Sequence, residues 1–189
     1  MKRLLTIGLL AACCLFAGCD KEENGEDLIW DFVPFSVGFY VQDAATGADL
    51  LDPASPSNIL GQPIAVTYAG NRYELDPSQA TDFYQHKSVL TRALPTMPLD
   101  LRLHHSYSLK EENGEMKKVY QNYRLDFGEF TPCSDWHNQE FTIDWGDGSS
   151  NTVRFDCYIV WKSNTDPNVL HPIWFDGKQQ TEWTMTLLK

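Results

Sequence analysis

Four oxygen-bearing side chains crowd one short stretch, Thr142-Ile143-Asp144-Trp145-Gly146-Asp147-Gly148-Ser149. Asp144, Asp147 and Ser149 are hard donors of the kind calcium takes. Their spacing is not that of a helix-loop-helix calcium loop, and no bidentate glutamate stands at its twelfth position. A hydrogen-bonded turn is the simpler reading. His104-His105 invites a zinc reading, but neighbouring residues of a strand point to opposite faces and cannot close on one ion. The alternation places His105 in a core and His104 on a wet face. Cys133 and Cys157 are far enough apart in sequence to close a loop of roughly 25 residues, a bridge worth on the order of 3 kcal/mol; two unbridged buried thiols are the other reading. No nucleophile elbow, phosphate loop or paired-histidine zinc motif occurs, so the chain nominates no catalytic residue, no metal and no cofactor.

Contact chemistry is better supplied. The chain has six tryptophans. Trp145, Trp161 and Trp183 fall on the inward positions of alternating segments and read as core. Trp30 and Trp136 fall outside clean strands and are the candidates for contact with a ligand.

The elements that must position these residues are strands. Leu99, Leu101, Leu103, His105, Tyr107 and Leu109 share one side of a segment whose other side is polar. Val119, Gln121, Tyr123, Leu125 and Phe127 alternate in the same way, and the Asn113-Gly114 pair between the two segments predicts a tight hairpin. Phe35 to Val41 predicts a first strand, and Ile64 to Tyr68 with Arg72 to Leu75 a second hairpin. Ala44 to Pro63 reads as an irregular connection with at most a short strand at Asp49 to Leu51. Asp76-Pro77-Ser78 marks the start of a short helix or a loop. Phe141 to Trp145 with Val153 to Trp161, and Val169 to Phe175 with Thr181 to Leu188, predict two more hairpins. Eight to ten one-faced strands without long helices must bury their apolar sides against each other, so the expected fold is all-β, an antiparallel, immunoglobulin-like β-sandwich.

Ahead of this domain, Lys2 and Arg3 precede an apolar run from Leu4 to Phe16 that is too short for a bilayer of ~30 Å hydrocarbon. Phe16-Ala17-Gly18-Cys19 resembles a bacterial lipobox, which implies a signal peptide over residues 1–18 and acylation of Cys19, the lipid attachment site. Acyl chains hold a soluble domain on a membrane at ~0.8 kcal/mol per buried methylene. Residues 19–30 would be anchor and acidic tether, and 31–189 the sandwich domain. Removal of residues 1–18, which carry two cations and no acid, takes the net charge from −11 to −13. Such an excess argues against nucleic acid as a partner.

Cys19-Asp20-Lys21-Glu22-Glu23 resembles the export signal of Bacteroides-type surface lipoproteins, and the stretch Glu140 to Lys162, with His171 and Gly177-Lys178, is similar to one immunoglobulin-like family of such lipoproteins. The Trp-Gly-Asp-Gly-Ser core also resembles the signature of PKD-type sandwich domains, where it forms a strand end and turn; the His-Thr-Tyr segment usual in those domains is missing here. The resemblances imply an outer-membrane location on the cell surface, or alternatively the periplasmic face, and a group of proteins that often handle glycans. The expected function is a non-enzymatic surface binding module for a glycan, a peptide or a partner protein of the envelope. The alternative is a structural or accessory subunit of an outer-membrane assembly.

Overall fold

The computed structural model describes residues 31–82, 99–163 and 166–189. The chain divides into Met1–Asp31 and a compact unit Phe32–Lys189. Cys19 and Trp30, and so the anchor and one expected contact residue, lie outside the described residues.

The unit is all-β and built from two sheets. The first has the order β12-β1-β6-β5-β4 and joins β1 (Phe35–Gln42), β4 (Thr81–Asp82), β5 (Leu101–Glu112), β6 (Glu115–Phe130) and β12 (Thr184–Leu188). The second runs β11-β10-β8-β7-β2-β3 and joins β2 (Ala65–Tyr68), β3 (Asn71–Glu74), β7 (Trp136–Asp144), β8 (Ser150–Ser163), β10 (Ile173–Phe175) and β11 (Lys178–Gln180), while β9 (Asp166–Leu170) pairs with the far end of β8. The core lies between the sheets. Val37, Phe39, Leu103, Leu125, Phe127 and Phe130 from the first meet Val66, Phe141, Ile143, Val153, Phe155 and Ile173 from the second. Burial at alternate positions is what period-two sequences require when one face is wet.

The predicted hairpins form, with three corrections. β5 and β6 are joined by Asn113-Gly114, both with positive φ (55° and 80°), the conformation a two-residue hairpin needs. The alternation of β6, however, breaks midway. His104 pairs with Arg124 but Ser106 pairs with Gln121, so β6 carries an extra residue, and Asn122 takes a φ of 54° there. Upstream of this bulge the faces exchange. Tyr120, and not Val119, joins the side that holds His105, Tyr107 and Leu109.

The second correction concerns the last third. The segment expected to run from Val169 to Phe175 is split at His171-Pro172, because proline cannot donate to a ladder: Val169 and Leu170 pair with the outer part of β8, and Ile173 to Phe175 with its inner part. The expected return strand, Thr181 to Leu188, does not pair back on it: β10 is met by β11, just upstream, and Thr184–Leu188 crosses to the other sheet as β12. Third, the sheets are not wholly antiparallel. β12 runs parallel to β1, with Met185 opposite Phe39, and β4 parallel to β5.

Between β1 and β2 the chain is irregular as expected, with a single bridge from Gln42 to Asp49 in place of a strand. Asp49 fixes this connection to the first sheet: one carboxylate oxygen accepts from the Leu51 amide at 2.9 Å and the other from the Tyr123 amide at 3.1 Å. Burial raises its pKa against the pull of those two bonds. Asp76 caps a short 3-10 turn, Pro77–Gln79, by accepting from the Ser78 amide at 3.0 Å.

Candidate functional site

The hydroxyl and carboxylate cluster of Asp144, Asp147 and Ser149 is a closed turn. Asp144 accepts from the Gly146 amide at 2.9 Å, and Asp147 accepts from both the amide and the hydroxyl of Ser149 at 2.8 and 2.5 Å. The remaining Asp147 oxygen takes the Lys189 ammonium at 2.5 Å, and that ammonium also reaches the Ser149 hydroxyl and lies over the Trp145 ring. The Lys189 bond and the Ser149 bonds hold the Asp147 carboxyl well below the usual carboxylate range. Trp145 is fully buried and donates its indole N–H to Asn151 at 2.7 Å. These oxygens are committed to holding a turn and the last strand. Among the described residues no group of three metal-ligating side chains converges.

The histidine pair is placed differently from expectation. His105 is buried as expected, against Tyr120 and Tyr123. His104, expected on the wet face, is buried too. It is flanked on the sheet by Arg124 and β4, with its Nε2 3.6 Å from an Asp126 carboxylate that also takes an Arg124 N–H at 2.6 Å.

The cysteines are not bridged. Cys133 is an exposed thiol on a 3-10 turn, Pro132–Ser134, and Cys157 is a buried thiol 3.6 Å from the Phe130 carbonyl. Burial, and then the neighbouring Cys133, push the Cys157 thiol up to about 12. It is therefore a packed thiol and not a nucleophile.

Trp136, nominated for ligand contact, is seated at one end of the core. Its indole N–H donates to the Thr131 carbonyl at 3.0 Å and its ring meets Phe130 edge-on at 5.6 Å. That indole is held as packing, so the structure does not offer it as a platform. Trp161 departs in the other direction. Read as core, it is about half exposed, because β8 here runs beyond the end of β7 and, among the described strands, is paired with β9 alone.

The surface with the composition of a contact site is the outer face of the second sheet. Gln179, Trp174, Arg154 and Glu140 form one row across β11, β10, β8 and β7. Arg72, Thr67, Thr142 and Thr152 form a parallel row across β3, β2, β7 and β8. The residues between these rows, Val153, Phe141 and Tyr68 among them, point inward and are buried, so the two rows face solvent. Trp174 is the one large aromatic in them, and the Arg154 guanidinium lies over its ring at 4.4 Å.

Four residues along β8, Tyr158 projects from the same side as Arg154, about 13 Å away at 3.3 Å per residue. Its ring packs on His137 at 4.3 Å, and His137 is in turn 3.1 Å from Asp135. Tyr158 forms one wall of an open depression of about 380 Å³ that Leu170, His171, Pro172, Gln180 and Thr181 complete. His171 is held by stacking on Phe35 at 4.3 Å, and its carbonyl accepts the Trp183 indole N–H at 2.7 Å. An aromatic platform, an open and mainly apolar depression and a hydroxyl-rich row suit a ligand that offers both apolar C–H faces and many hydroxyls.

Sequence reasoning passed over Trp174. The signal was present: Ile173, Trp174 and Phe175 alternate, and an inward Ile173 obliges Trp174 to point out. No family model matches the chain, and neither a curated protein nor a solved structure matches it.

Proposed function

We propose that this protein is a lipid-anchored cell-envelope module, without catalytic activity, that binds a glycan on the outer face of its second sheet. The observation that carries the reading is Trp174, an aromatic ring on a polar solvent-facing row, braced by Arg154 and followed along the same side of β8 by Tyr158 and its depression. Pyranose rings present C–H faces that stack on an indole, while their hydroxyls pair with groups such as Gln179, Glu140 and the threonines. Cys19 supplies the attachment that keeps such a module at the membrane.

The test is a glycan array probed with the purified Phe32–Lys189 unit and its Trp174→Ala and Tyr158→Ala variants. Retention on at least one glycan class is expected, and loss of the Trp174 platform weakens it tenfold or more, equivalent to ~1.4 kcal/mol. Thermal unfolding of the variants stays unchanged, since neither side chain is in the core. Absence of sugar binding, or binding indifferent to both substitutions, refutes the reading. A co-purifying envelope protein with no sugar signal supports the accessory-subunit reading instead. In cells, Cys19→Ala releases the protein from membranes, and retention of that variant removes the anchor from the proposal.

A further inference from the structure

The hairpin of β5 and β6 extends well past the sandwich. From Ser106 to Glu112 no strand among the described residues pairs with the outer edge of β5, since β4 covers only His104 and His105. This edge, unpaired among the described residues, is seven residues without proline or glycine, and edges of this kind pair with other strands unless they are blunted. The ribbon is also apolar on one side. Tyr107, Leu109, Met116 and Tyr120 lie on a single face, because of the β6 bulge, and are 37%, 57%, 62% and 46% exposed. Residues 106–121 hold three lysines and three glutamates. They form a neutral patch on a chain of net charge −11, where the repulsion between two copies is reduced.

We infer that this edge pairs with the same edge of a second copy of the chain, antiparallel about a two-fold axis through Leu109. The register follows from the length of the free edge. Full overlap of Ser106 to Glu112 with its symmetry mate sets Leu109 against Leu109, Tyr107 against Glu111, Ser108 against Lys110 and Ser106 against Glu112. The two apolar faces then become one. A shift that centred the axis on Lys110 would set lysine against lysine, and one centred on Ser108 would run Glu112 into the position that β4 occupies beside His104. Charge supports the same register. Within one copy the Lys118 ammonium lies 4.1 Å from the centre of the Tyr107 ring, and Glu111 of the other copy arrives opposite that ring, within reach of the ammonium. The interface is isologous and closes at two copies. It is independent of the glycan face, which belongs to the other sheet.

Sedimentation of the purified protein between about 1 and 100 µM, with and without substitutions on the ribbon, tests this. A concentration-dependent dimer is expected. Leu109→Lys, which sets two cations on the axis at an exposed position, raises the dimer dissociation constant at least tenfold. Glu111→Lys weakens the dimer, and adding Lys118→Glu restores it. As a positional readout, Leu109→Cys forms a symmetric disulfide under mild oxidation while Met116→Cys does not, because strands pair at Cα separations of about 4.5–5.5 Å and only residue 109 meets its own copy. A protein that stays monomeric at every concentration overturns the inference. So does a dimer unaffected by Leu109→Lys, or one cross-linked through Met116→Cys and not Leu109→Cys.

Discussion

Replacing Gly146 with alanine separates two costs that glycine avoids in the Trp145-Gly146-Asp147-Gly148 turn. Gly146 has a φ of 76° and Gly148 a φ of 86°, so a side chain at either enters the left-handed region at about 1–2 kcal/mol. Their surroundings differ. A Cβ on Gly148 meets nothing within 4 Å, whereas one on Gly146 comes within 2.7 Å of the Pro63 Cδ, 2.8 Å of the Pro63 backbone nitrogen and 3.0 Å of the Gln62 Cβ. Backbone cannot yield as a flexible side chain does, so overpacking adds about 1–3 kcal/mol at position 146 alone. Gly148→Ala is therefore expected to cost about 1–2 kcal/mol, and Gly146→Ala about 2–5. At roughly 2–4 °C per kcal/mol for a unit of this size, Gly146→Ala melts some 2–12 °C below Gly148→Ala. Paired urea and calorimetric unfolding of the two variants measures the gap. Equal destabilisation of both would refute the claim that the turn is pressed against the Gln62-Pro63 segment.

Other expectations concern ionisable groups on the same scaffold. Asp147 has its pKa depressed in the folded state, so its contribution is present above the unfolded value of ~3.9 and is lost as pH falls through the folded one. Asp147→Asn should thus unfold more readily than the parent at pH 7, with the gap narrowing as pH falls below ~3.9; a constant gap from pH 7 into that acid range contradicts the Lys189 clamp. For the thiols, a maleimide at pH 8 should label the exposed Cys133 quickly and the buried Cys157 only as the unit unfolds. Equal labelling rates in the native protein would show that Cys157 is not buried as described, and no labelling before reduction would show a bridge.

What the sequence made legible was whatever depends on one strand and its immediate neighbour. Alternation from Leu101 to Leu109 marked β5, and Asn113-Gly114 marked its turn, because period and turn chemistry are local. Contacts that join distant segments left no trace. The parallel pairing of β12 with β1 and the departure of Thr184–Leu188 from its expected hairpin are settled by which edge each strand can cover. The bulge at Asn122 was hidden for another reason: an inserted residue keeps the polar-apolar rhythm on each side while reversing its phase, so Tyr120 and Val119 exchange roles without altering the pattern's look. At the candidate surface the same limit applied. Trp136 lies outside a clean alternation and so drew notice, yet it packs into an end of the core, while Trp174 sits in a strand of three residues where the inward Ile173 is the one local sign that it points out. The row it forms with Gln179, Arg154 and Glu140 exists only once three hairpins are in register.

The neighbour of β1 on its outer side is the last strand of the chain, with Gly38 opposite Thr184 and Gln42 opposite Leu188. Until Thr184–Leu188 are in place, the backbone groups of Gly38, Tyr40 and Gln42 on that side lack their ladder. Closing a loop that spans nearly the whole unit is slow. Completion of the first sheet waits on the described strand most distant from β1 in sequence, so a unit lacking β12 is left with a sticky margin where the folded one has a seam.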